Sequence, residues 1–105
     1  MIKVSVEKKK DDIVAFSCKG HAGYAEEGQD IICSAVSALI INAVNSVEKL
    51  AGLRYESKDC SGNLTFRLLD APSPESNLLL QSMIIGLQSI EADCPKYLKV
   101  TIVES

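Results

Sequence analysis

The stretch Ile31-Ile32-Cys33-Ser34-Ala35-Val36-Ser37-Ala38-Leu39-Ile40-Ile41-Asn42-Ala43-Val44-Asn45-Ser46-Val47-Glu48-Lys49-Leu50 decides the fold. Its apolar residues recur at Ile32, Val36, Leu39, Ile40, Ala43, Val47 and Leu50, the spacing of a helix with one face against a sheet. Asp30 is the natural N-cap, its carboxylate accepting backbone N–H groups of the first turn, and Gly52 supplies a left-handed exit. A helix of about 20 residues is roughly 30 Å long, which makes it the main packing element of the domain. The run from Ala35 to Val47 is interrupted by Ser37, Asn42, Asn45 and Ser46. It therefore does not offer the roughly 20 consecutive apolar residues that span a bilayer.

Working outward, Ile2, Val4 and Val6 alternate with Lys3, Ser5 and Glu7. After a charged turn, Val14, Phe16 and Cys18 alternate with Ala15, Ser17 and Lys19, which predicts a β-hairpin with one buried face. Beyond the helix, Leu53 to Lys58 and Leu64 to Leu69 read as a second hairpin around residues 59–63. Ser73, Pro74 and Glu75 start a second helix, because proline loses nothing at the first helical position and the acid favours the positive dipole end. It runs to about Asp93 and is stopped by Pro95. Its apolar residues, Leu78 through Ile90, cover more than one stripe, so part of it is expected to meet something other than its own sheet. A last strand spans Tyr97 to Val103. The order ββαββαβ predicts one α+β domain over residues 1–105, a two-layer sandwich with two helices and a largely antiparallel sheet.

With 105 residues of which 47% are hydrophobic, the chain suits a single core. Its 11 basic residues against 14 acidic ones give a net charge of -3. Lys8, Lys9 and Lys10 are followed at once by Asp11 and Asp12, a solvated hairpin tip. No direct nucleic-acid partner is expected from this balance. The first residues lack a cationic region followed by an apolar core, so no secretion signal is expected and the cytoplasm is the expected compartment, with no membrane association. Cys18, Cys33, Cys60 and Cys94 are accordingly expected to be reduced thiols.

Between the first hairpin and the long helix lies Gly20-His21-Ala22-Gly23-Tyr24-Ala25-Glu26-Glu27-Gly28-Gln29-Asp30, a loop with three glycines and no period. If Asp30 caps the helix, Cys33 is its third residue, where unsatisfied N–H groups and the positive dipole end favour a thiolate. The same N–H groups are placed to hold the oxyanion formed when a carbonyl is attacked. A thiolate also needs a proton donor for the leaving amine, and His21 is the one histidine, twelve residues before Cys33. Ser37 lies one turn beyond Cys33 on the same side, in reach of backbone or substrate. A zinc site of Cys18, His21, Cys33 and one further thiol is the weaker reading, because zinc ribbons and fingers bring two closely spaced ligand pairs and Cys33, Cys60 and Cys94 are scattered singly.

Gly20-His21-Ala22 followed by Gly28-Gln29-Asp30-Ile31-Ile32-Cys33-Ser34-Ala35-Val36-Ser37 resembles the G-H...G-x-D-I-x-C-x-x-x-S signature of the ribosomal-processing cysteine protease family, Prp. The likeness extends over nearly the whole chain, including Gly86-Leu87-Gln88-Ser89-Ile90-Glu91. It implies a cofactor-free, homodimeric endopeptidase that removes the N-terminal extension of a large-subunit ribosomal protein and so supports ribosome assembly. It also implies that Cys33 is the nucleophile and His21 the general acid/base, with Gly20, Asp30 and Ser37 as supporting positions, and that the intervening loop orders around the peptide. A reading from another class is a non-catalytic, ribosome-associated binding protein whose cysteine and histidine only shape a peptide groove.

Overall fold

The computed structural model describes residues 1–20, 29–60 and 62–105, with backbone alone for Gln29 and Asp30. Among them are five strands, two α-helices and one π-helical turn in the expected order: β1 (Ile2–Lys9), β2 (Asp12–Lys19), α1 (Gln29–Ser46), a π turn (Val47–Ala51), β3 (Tyr55–Cys60), β4 (Asn63–Leu68), α2 (Pro74–Asp93) and β5 (Leu98–Glu104). The strands form one sheet in the order β3-β4-β2-β1-β5. Every neighbouring pair is antiparallel except β1 with β5, which are parallel; α2 carries the chain from β4 over β2 and β1 to β5 at the sheet edge. The architecture is the expected α+β two-layer sandwich.

Both helices pack on one face of the sheet. Val4, Val6, Phe16, Phe66 and Leu98 from the strands meet Val36, Ile40 and Val47 from the first helix and Leu80, Ile84 and Leu87 from α2. The rings of Phe16 and Phe66 stack at 4.9 Å, and Tyr55 stacks on Phe66 at 5.2 Å. Gly86 lets the helices approach closely, since a Cβ there would lie 3.0 Å from Leu39 Cδ1.

Several local expectations are corrected. In the first hairpin, Glu7 pairs with Ala15 and Lys8 with Ile13, so Val14 is the extra residue of a β-bulge. The face flips there, and Ile13 rather than Val14 enters the core. In the second hairpin, residues 59, 60 and 63 belong to the strands rather than the turn, pairing Asp59 with Leu64 and Cys60 with Asn63. The long helix begins at Gln29, one residue before Asp30, and widens into the π turn at Val47. An i→i+5 turn advances less angle per residue, which rotates Leu50 off the seam and leaves it 72% exposed. Gly52, at φ 66°, makes the expected left-handed exit.

Residues Ile31–Ala51 are long and apolar enough to cross a membrane by length and composition, with a mean hydropathy of 1.6. The interruptions counted in the sequence are serines and asparagines, whose modest hydropathy does not offset so many isoleucines, valines and alanines. Ile32, Val36, Ile40, Ala43 and Val47 nonetheless form one buried seam on the sheet, the pattern of a core helix. The start of α2 is as expected: Ser73 accepts from the Ser76 N–H at 3.1 Å, and the Ser73 N–H donates to Ser76 Oγ at 2.9 Å. Asn77 then ties α2 to the first hairpin, accepting from the Ile13 N–H and donating to Asp12.

Candidate active site

One end of the sheet and the first turns of α1 enclose a groove of about 390 Å³. From α1 it receives Cys33, then Val36 and Ser37, then Ile40 and Ile41, the i, i+3/i+4, i+7/i+8 positions of one helix face. From the sheet it receives Cys18, Leu64 and Asp59, which the pairing of β2 with β4 and of β4 with β3 sets in one cross-strand row. Ile2, Gly20 and Gly62 complete the wall.

Cys33, Ser37 and Gly20 therefore share one groove, Cys33 half-buried and Ser37 exposed one turn further on. Gly20 has a φ of 78°, and a Cβ there would stand 2.6 Å from the Met1 carbonyl oxygen. Only glycine fits so close to the start of β1 in that conformation. His21 and the Asp30 side chain lie outside the described residues. Because α1 begins at Gln29, Asp30 is its second residue rather than its cap, and Cys33 is the fifth rather than the third. In α-helical geometry the Cys33 N–H bonds to the carbonyl four residues back, so the unsatisfied donors of this helix end belong to residues 29–32.

Asp59 escaped the sequence reading as part of a turn, and Cys18 entered it only on the buried strand face and in the weaker zinc reading. The Tyr55, Ser57, Asp59 alternation was the available signal that β3 continues inward-facing to Asp59. Cys18 packs against the core and also faces the groove. Burial pushes its thiol above the ordinary cysteine value, and the charges of Cys33 and Asp59 push it further the same way. Cys18 is thereby held as a neutral thiol beside Cys33. Among the described residues no three histidine, cysteine or carboxylate side chains cluster as a metal site.

A family model described as cysteine protease Prp matches residues 1–99. The chain belongs to the Prp family of cysteine proteases. A relative named ribosomal processing cysteine protease Prp from Bacillus subtilis is 35% identical over 108 residues, covering 96% of both chains. One of the same name from Staphylococcus aureus is 34% identical over 94 residues, covering 88% of this chain and 86% of the relative. Two crystal structures of the S. aureus Prp superpose on this chain. The one with a substrate peptide has a TM-score of 0.90 at 26% identity, and the one with a covalently linked product peptide 0.88 at 27%. Each covers 98% of this chain and 100% of that protein.

Proposed function

We propose that this chain is a cytoplasmic cysteine endopeptidase that cuts the N-terminal extension from a large-subunit ribosomal protein, using Cys33 and His21 and no cofactor. The observation that carries the reading is the groove itself, in which Cys33 and Ser37 open onto apolar walls within a chain of the Prp family. A volume of about 390 Å³ falls in the range of roughly 300–1,000 Å³ typical of ligand sites. His21 follows groove-lining Gly20 directly in the chain.

In this mechanism the Cys33 thiolate attacks the scissile carbonyl carbon, and the carbonyl electron pair moves to oxygen. N–H groups at the start of α1 receive that oxyanion. His21, as imidazolium, protonates the leaving amine as the C–N bond breaks, leaving a thioester on Cys33. His21 then takes a proton from water, whose oxygen attacks the thioester and releases the acid and the thiolate. Asp30, an acid in the first turn, favours the positive helix end, and Ser37 supplies a hydroxyl one turn above the sulfur. A homodimer completes the reading, supported by Leu78 and Ile85, seven residues apart on α2 and 73% and 61% exposed.

Mass spectrometry of the extended ribosomal protein incubated with wild type, Cys33→Ala and His21→Ala tests the proposal. One site-specific shortening with wild type and none with either variant is expected. Cutting by Cys33→Ala at the wild-type rate would remove Cys33 as nucleophile. Capture of the intact protein without cutting would instead favour the non-catalytic peptide-binding reading.

A further inference from the structure

The outer face of the sheet carries a charge pattern that peptide cleavage does not use. Register sets Lys3 of β1 directly beside Lys19 of β2 and, on its other side, beside Lys99 of β5. All three are exposed. Neighbouring strands lie about 4.8 Å apart, so the row spans roughly 10 Å. Like charges placed directly opposite each other destabilise a strand pair.

The acids of this face are engaged elsewhere: Glu7 accepts from Arg67 at 2.7 Å, and Glu56 lies 3.9 Å from Lys58. Among the described residues no carboxylate forms an ion pair with Lys3, Lys19 or Lys99. Two residues along the strands, Thr65, Ser17, Ser5 and Thr101 form a parallel row of hydroxyls across four strands. A cationic row with no ion-pair partner among the described residues, beside a hydroxyl row, is a surface that gains when an anion covers it.

We propose that this face binds the phosphodiester backbone of RNA without reading its bases. Lysines and hydroxyls are the side chains that phosphates take as partners. The aromatic residues of these strands, Phe16, Phe66 and Tyr55, pack into the core, which leaves no stacking platform outside. With Arg67 already bonded to Glu7, the face offers lysine point charges and hydroxyls, a set that suits phosphate oxygens, and an acidic peptide is the competing occupant. The row lies on the face opposite the helices, so RNA there leaves the Cys33 groove open. The overall charge of -3, from which no nucleic-acid partner was expected, does not reveal that strand pairing gathers three lysines on one face. It keeps the attraction local, with affinity in the non-specific range of roughly 10⁻⁴ to 10⁻⁶ M.

Fluorescence anisotropy of a labelled oligouridylate, titrated with the full chain at rising potassium chloride, tests this. Three lysines neutralising three phosphates give a slope of log affinity against log salt of about -2. The triple variant Lys3→Gln/Lys19→Gln/Lys99→Gln should lose about tenfold or more in affinity at low salt. Its Tm should equal or exceed that of wild type, since like-charge opposition is removed. Lys9→Gln/Lys10→Gln, at the hairpin tip, should bind as wild type does. Absence of binding by wild type, equal binding by the triple variant, or a lower Tm in that variant would overturn the proposal. So would polyglutamate displacing the RNA more effectively than unlabelled oligouridylate, which would assign the face to an acidic peptide.

Discussion

The two faces of the sheet are built from the same strands, one residue out of phase, and they handle polar groups in opposite ways. On the helix side, Cys18 and Asp59 stand in a row with Leu64 and Val4, and burial pushes the Cys18 thiol toward its neutral form. On the outer side, polar groups stay charged, some balanced by a partner, as in Arg67 with Glu7, and others, as in the lysine row, without an ion-pair partner among the described residues. The Arg67 hydrogen bond holds the Glu7 carboxyl below the usual carboxylate range, the main influence on that group. Alternation along a strand thus decides the chemistry available to each residue as well as its burial. The bulge at Val14, which resets the phase, keeps Ile13 on the buried side at the far end.

The contrast is broken most severely from inside. Phe66 is 1% exposed and stacks with both Phe16 and Tyr55. Phe66→Ala should cost about 3–5 kcal/mol, read as a lower midpoint in urea unfolding at unchanged slope. On the outer face, Arg67→Ala removes an ion pair whose side chains are 55% and 33% exposed. Its cost should stay under about 1 kcal/mol and shrink in high salt, because exposed pairs are screened. A loss comparable to that of Phe66→Ala would mean that the outer face is not solvated as described.

Most of the architecture was legible because both periodicities are strong. The two hairpins, the Ser73 start of α2 and the seam from Ile32 to Val47 follow from apolar spacing and capping chemistry. The departures are local. A bulge moves one residue off the alternation, a π turn rotates Leu50 outward, and α1 gains a residue before Asp30 because an acid serves the positive helix end inside the first turn as well as at its cap. At the site, Cys33, Ser37 and Gly20 were found by motif and do share a groove, whereas Asp59 and Cys18 reach it only through strand register. Register is a property of pairing and is not visible in one strand read alone.

The central claim is that, of the two thiols in this groove, Cys33 acts and Cys18 does not. Wild-type protein is treated with iodoacetamide at pH 7, and alkylation at each cysteine is followed by peptide mapping alongside residual cleavage. Loss of cleavage should track modification of Cys33 one for one. Cys18, raised above the ordinary thiol value of about 8.5, should be modified later and should still lag at pH 9. Full cleavage by protein whose Cys33 is completely alkylated, or inactivation that follows Cys18 instead, would contradict the account.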